Sequence, residues 1–288
     1  MEIIEIIAII FIPVAYASIG ELICERSGIL NLGIEGNMIL AAFIGWFFST
    51  QYNSIFIGLI FVLIIGILTA FIFWLLIEFL ELQQHIVGLG IGFFCNGLAL
   101  TLFRLTPSSL KESQINLIIN KDFLILFTGI ILLVICIILF NKKSRFNNML
   151  SLISDDIRSA DLIGIDFKKQ RLFAVLLGIS LIFISGYLVS CLFMQSFTMG
   201  IISGKGWIAL CIVILSRWNI RYILIASLFW AILEIGQFYI QSSEINIPYQ
   251  LLLMLPYLGC FIVVAIGGSG KNIPKMLTKI YNRQEDAS

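Results

Sequence analysis

Histidine occurs once in this chain of 288 residues, at His85, and Asp, Glu, Lys and Arg together make up only 12%. One histidine excludes an H-E-x-x-H zinc helix and leaves no Cys/His spacing able to hold a metal. The cysteines (Cys24, Cys95, Cys136, Cys191, Cys211, Cys260) are scattered without a C-x-x-C pair, so they read as small apolar fillers. No complete phosphate-binding loop is present: "GGSGKN" at 267–272 lacks the first glycine and the closing hydroxyl residue. "GLGIGF" at 88–93 misses the last glycine of a dinucleotide loop. No serine has a context that would pair it with His85. With 18 basic against 17 acidic residues, the chain lacks the basic face that nucleic acid requires. It carries no metal ligand set and no engine for bond chemistry or nucleotide hydrolysis.

What fills the space is hydrocarbon. The chain is 60% hydrophobic with a mean hydropathy of +1.05, whereas soluble domains carry about 25% charge. Apolar stretches run near 3–20, 29–49, 55–77, 86–104, 122–140, 171–191, 206–217, 221–240 and 248–267. Most are close to the roughly 20 residues that span a hydrocarbon core about 30 Å thick. The pattern predicts an all-α polytopic helical membrane protein with about nine spans, within a range of eight to ten. The alternation over roughly ten residues that a transmembrane barrel needs is missing. The 206–217 segment is short, and either continues back through 198–205 or enters the membrane part-way. Ala15-Tyr16-Ala17 resembles a signal-peptidase site, but Glu2 and Glu5 stand where a signal peptide is basic, so this segment is expected to stay as the first span. Residues 1–288 thus read as one transmembrane domain with a polar loop at 141–170 and a tail at 268–288.

Orientation follows from Lys and Arg in short connections. The 141–171 stretch holds Lys142, Lys143, Arg145, Arg158, Lys168, Lys169 and Arg171; the tail holds Lys271, Lys275, Lys279 and Arg283; the "RWNIR" turn holds Arg217 and Arg221. Nine spans put all three on one side, expected to be the cytoplasm, with the N-terminus outside and the C-terminus inside. Lys111 and Lys121 in the outer 105–121 loop run against this assignment.

Polar groups inside spans are costly and face protein or water. In "ERSGILNLGIEG" (25–36), Asn31 and Glu35 fall at i and i+4, on one face of a helix starting near Ile29. Two readings of Glu35 stand: a carboxylate bonded to a neighbouring helix or to amides exposed at a glycine-broken helix, or direct contact with substrate or ion. Glu234, Gln237 and Gln241 form a polar stripe at i, i+3, i+7, either bonding helices together or lining a polar route. Asn96 is a weaker candidate of the same kind. Trp207 follows Gly204-Lys205-Gly206 and is placed either for packing or to stack on a flat ligand. In the loop, Ile157, Ala160 and Gly164 sit at spacings of three and four among Asp155, Asp156, Arg158 and Asp161. This reads as a short amphipathic helix capped by Ser154 or Asp155 and ended near Gly164, either solvated or docking another protein.

"ERSGILNLGIEGNMIL" resembles the hallmark of permease subunits of bacterial ABC importers for nucleosides and simple sugars, within the ribose and branched-chain amino-acid permease group. "DDIRSADLIGID" is similar to that family's coupling segment, "GKGWIALCIVILSRWNI" to its glycine-basic-glycine-aromatic stretch and basic-W-N turn, and "IPYQLLLMLPYLGCFIVVAI" to its last span. Ile157 and Trp207 depart from the proline and phenylalanine frequent there. The resemblance implies a bacterial inner-membrane permease, not itself an enzyme, that binds no cofactor. Its expected partners are an ATPase subunit holding ATP-Mg, a second permease chain (related or identical), an extracytoplasmic binding protein and membrane lipid. Asp156, Arg158, Asp161 and Gly164 would form the coupling helix. A stand-alone ion-coupled secondary transporter is the alternative that buried carboxylates leave open.

Overall fold

A computed structural model describes residues 2–111, 115, 121–140, 145–156, 164, 166–242 and 273–278, with positions 251, 254, 257–259, 261, 262 and 265. The described residues form helices and turns and no strand. In order these are α1 (Glu2–Arg26), α2 (Ile34–Gln51), α3 (Ile55–Glu78), α4 (Gln84–Leu105), the single turn α5 (Ser108–Lys111), α6 (Lys121–Phe140), α7 (Arg145–Asp155), α8 (Phe167–Tyr187), α9 (Lys205–Leu215) and α10 (Ile220–Ser242). Leu188–Phe193 extend α8 as a wider π-helical turn. Among the described residues five stretches are long and apolar enough to cross a bilayer: Ile3–Arg26, Ile55–Glu78, Gln84–Leu105, Phe167–Phe193 and Ile220–Gln241.

The expected spans 55–77, 86–104, 122–140, 171–191 and 221–240 match helices to within a few residues. Others differ instructively. α1 runs on to Arg26, because Glu21 and Glu25 find protein partners and do not end the helix. α2 begins at Ile34, so Asn31 lies outside the helix and Glu35 sits in its first turn, not on a shared helical face two turns in. α9 has 11 residues, about 16 Å of helix at 1.5 Å per residue, too short to cross a hydrocarbon core about 30 Å thick by itself. The loop also holds a helix that the sequence pattern did not announce. In α7, Leu150 and Ile153 are buried and Phe146 packs against the core, an i, i+4, i+7 stripe. Ser154 and Asp155 lie in its last turn, and the amphipathic helix expected to follow them falls largely outside the described residues. Most of 248–267 and of the 268–288 tail, and residues 157–163, lie outside the described residues.

The bundle is organised around α8, which packs against α1, α2 and α3. Its apolar window is 67% buried, against 22% for α3, whose flank of Phe56, Ile60, Ile64, Ile67 and Phe71 faces outward. Lipid tails are as apolar as leucine, so burial alone does not bring spans together; close backbone approach and interhelical hydrogen bonds do. A Cβ on Gly36 would collide with the Gly92 backbone of α4, and one on Gly20 with the Gly178 carbonyl of α8. Ser185 of α8 donates to the Pro13 carbonyl of α1 at 2.7 Å, and Tyr16 of α1 to the Thr128 carbonyl of α6 at 3.1 Å. Far along α2, Phe43 and Trp46 meet Phe103 and Phe197 with ring centroids 4.9–6.5 Å apart.

The opposite end is built from ions. Arg171, near the start of α8, donates to Glu78 at the end of α3 at 2.7 Å and to the Ser27 carbonyl at 2.9 Å; both ion-pair side chains are buried. Removing one member of such a pair typically costs 3–5 kcal/mol. Asp166 caps α8, accepting from the Lys169 amide at 3.2 Å. The Lys169 side chain and amide beside it hold the Asp166 carboxyl below the usual carboxylate range. The 273–278 segment closes this end: the Met276 amide donates to the Ser154 carbonyl and that of Thr278 to the Gly28 carbonyl, both at 3.2 Å.

Gly36→Ala is expected to destabilise the chain by about 1–3 kcal/mol, because α2 and α4 must separate. Gly97→Ala, which meets open space on α4, is expected to be neutral or slightly stabilising. Thermal unfolding of the two variants in the same detergent checks the contrast.

Candidate functional site

The break between α1 and α2 exposes backbone amides that need partners within the protein. Those of residues 27–31 and of Gly33 find them. The amides of Ser27, Gly28 and Ile29 fold back on the carbonyls of residues 23–25. Leu30 donates to Gln84 Oε1 at the start of α4, Asn31 to Glu21 Oε1, and Gly33 to Asn31 Oδ1, each at 3.0 Å. Glu25, one turn after Glu21, accepts from the Trp218 indole of the α9–α10 turn. Asn31 thus belongs to a structural network with Glu21 and lines up with no other polar candidate.

Glu35 does something different. Its Oε1 accepts from the Gly204 amide and its Oε2 from the Gly206 amide, both at 2.8 Å. These amides open α9, so the carboxylate caps a helix that begins inside the bundle and also meets the positive end of its dipole. The approach is tight enough that a Cβ on Gly206 would overlap the Glu35 backbone. The turn leading in is wound in the left-handed region, with Gly200 at φ 81°, Ser203 at 50° and Gly204 at 84°.

Between the two glycines stands Lys205, whose ammonium lies 3.3 Å from Glu234 Oε1 on α10. The other Glu234 oxygen accepts from the Trp230 indole at 3.0 Å. Trp230 meets the Tyr257 ring edge-on at 5.4 Å, and Tyr257 donates to the Ser203 carbonyl at 3.2 Å. Trp207, in the first turn of α9, is 44% exposed. The structure therefore brings Glu35, Glu234 and Trp207 together around the start of α9. Gln237 is buried one turn after Glu234, and Gln241, with a buried side-chain nitrogen that has no hydrogen-bond partner among the described residues, follows it. Asn96 is half-buried on α4, outside this network. Asp156 follows the last turn of α7, and Gly164 adopts a left-handed φ of 84°; Arg158 and Asp161 lie outside the described residues.

Sequence reasoning missed four participants. Lys205 is the one cation between Arg171 and Arg217, which marked it as costly and therefore partnered. Glu21 and Glu25 carried the i, i+4 spacing of a shared helical face. Trp218 had no signal of its own, because its indole reaches Glu25 across 193 positions of sequence. Among the described residues no three His, Cys, Asp or Glu side chains converge as a metal site. The start of α9 thus gathers a partly buried ion pair, two amides held by Glu35 and an exposed indole.

A family model described as the permease component of the branched-chain amino acid transport system matches residues 3–273. The chain belongs to this family. Among curated relatives of this permease, a putative glucose ABC transporter permease protein of Haloferax volcanii, TsgC13, is 26% identical over 94% of each chain. The nucleoside ABC transporter permease protein NupC of Lactococcus lactis is 25% identical over 88% of each chain. The guanosine ABC transporter permease protein NupQ of Bacillus subtilis is 24% identical, over 90% of this chain and 91% of that one. No solved structure matches the chain. The permease is a multi-pass membrane protein and a transport subunit, not an enzyme, which accounts for the missing nucleotide-binding loop.

Glu35→Ala orphans the Gly204 and Gly206 amides and is expected to cost about 1–3 kcal/mol for each. Glu35→Gln, which keeps one acceptor, should cost about half as much. Thermal unfolding of the detergent-solubilised chain reads both. Unchanged unfolding of Glu35→Ala together with lost uptake would instead place the carboxylate on the substrate.

Proposed function

We propose that the permease forms half of an ATP-driven import pathway for a nucleoside or a simple sugar, with the start of α9 as the point where solute is recognised. The Lys205–Glu234 pair carries this reading. An ammonium and a carboxylate 3.3 Å apart between apolar helices can exchange each other for the hydroxyls or ring nitrogens of a polar solute, while Trp207 offers a flat apolar face. Gln237 and Gln241 continue a polar route along α10. The names of the curated relatives, which cover glucose, nucleosides and guanosine, support these solute classes.

In this reading nine spans place the N-terminus outside and the C-terminus in the cytoplasm. The meeting of Gly28, Ser154 and the 273–278 segment at one end of the bundle supports putting these connections on one side. The 156–164 segment docks an ATPase subunit that holds ATP-Mg, an external binding protein delivers the solute, and a second permease chain completes the pathway. ATP binding and hydrolysis then bias the bundle between outward- and inward-open states.

Uptake into vesicles containing the permease, its ATPase and its binding protein tests the proposal. ATP-dependent accumulation of nucleoside or sugar is expected, with Lys205→Met and Glu234→Gln each lowering uptake at least tenfold while ATPase association persists. Uptake by the chain alone, driven by an ion gradient without ATP, would overturn the importer reading in favour of secondary transport.

A further inference from the structure

A second place in the molecule has the chemistry of a binding site. At the ionic end of the bundle, a cavity of about 310 Å³ is enclosed by the end of α1, the last turn of α7, the α9–α10 turn and the 273–275 segment. Among the described residues three cations line it, Arg26, Arg217 and Lys275, with one carboxylate, Asp155. Arg26 is tied to α7 through Asn147 Oδ1 at 3.1 Å. Arg217 and Trp218 are consecutive non-glycine residues in the left-handed region, with φ 51° and 56°, a conformation that costs energy and is held in place here by the Trp218–Glu25 bond. That strain keeps Arg217 at the cavity's edge.

Arg217 also borders a second cavity of about 410 Å³ with the opposite character. This groove follows the outward face of α10 along Tyr222, Ile225, Ala226 and Phe229, an i, i+3, i+4, i+7 stripe. Tyr222 and Ile225 are exposed, so the groove opens on the side where lipid lies. The cationic cavity lies where the apolar Ile3–Arg26 stretch ends and the Ile220–Gln241 stretch begins; with both stretches placed as spans, that is headgroup depth. A cationic pocket and an apolar groove that share one arginine in their linings fit one kind of molecule.

We propose that this surface binds an anionic phospholipid, its phosphate among Arg217, Lys275 and Arg26 and one acyl chain along α10. Basic pockets between spans select anionic headgroups by charge, and the groove adds apolar contact that a free phosphate cannot use. The bound lipid would tie the α9–α10 turn to the last turn of α7, which leads into the proposed ATPase-docking segment. The site rests on the membrane placement of α1 and α10 and not on the transported solute.

The test uses the full-length chain in mild detergent, read by thermal unfolding and by native mass spectrometry, with no transport step. Phosphatidylglycerol is expected to raise the unfolding temperature and to remain bound, while phosphatidylcholine does neither. The double variant Arg217→Gln/Lys275→Gln should unfold normally without lipid and bind phosphatidylglycerol roughly 10- to 30-fold more weakly. Ile225→Asn should weaken phosphatidylglycerol alone, leaving any effect of soluble glycerol phosphate unchanged. Equal binding of both lipids, or undiminished phosphatidylglycerol binding by the double variant, would overturn the proposal. A soluble glycerol phosphate effect matching that of the lipid would assign the pocket to a free phosphate and overturn the acyl groove. No lipid effect, with the double variant losing a co-purifying ATPase, would make the surface a protein contact.

Discussion

A helix that begins inside the bundle exposes amides that no preceding turn can satisfy, and the organisation of this permease follows from how that problem is met. Two amides at the start of α9 are taken by Glu35. The carboxylate must come from a neighbouring element, at close range, with both oxygens aimed. That places it in the first turn of α2, demands a break before α2, and requires glycine at 206 so the two backbones can approach. The break in turn needs its own acceptors, which Glu21, Gln84 and Asn31 supply. One helix start thus leads, through the break it demands, to the buried positions of Glu21, Asn31 and Gln84.

The two ends of the bundle solve their packing differently. Toward the far end of α2, aromatic rings interlock without any need for solvent. At the other end, Arg171 and Glu78 form a buried pair, and the 273–278 segment is laced to Gly28 and Ser154 by backbone bonds. Truncating a buried charge costs far more than truncating a ring edge, because the partner is left charged and dry. The ionic end is therefore specified residue by residue, while the aromatic end tolerates exchange among rings of similar volume.

Much of this was readable from sequence. Spans with 20 or more apolar residues announced themselves, and Glu35 stood out because a carboxylate inside hydrocarbon always needs an explanation. Its partners did not stand out, since they are backbone amides of glycines about 170 positions away and have no side chain to betray them. The stripe Glu234, Gln237, Gln241 was visible as spacing on α10, whereas the Lys205 that pairs with its first member was visible only as an isolated charge. α7 was overlooked because its apolar residues Phe146, Leu150 and Ile153 are diluted by Asn and Ser, and its helix is made worthwhile only by packing against the core. Local pattern predicted what local pattern determines; contacts between distant segments determined the rest.

The length of α9 has a consequence for the shape of any path through the molecule. Its 11 residues make about 16 Å of helix, so a path that followed α9 through a hydrocarbon layer roughly 30 Å deep would have nearly half of its length free of helical backbone from this element. The floor of that space is a helix end held by a carboxylate, so its level is fixed by where the chain stops being helical and not by the bulk of any side chain. Side-chain exchange around it can change the width of such a vestibule, and only insertion or deletion of backbone can change its depth.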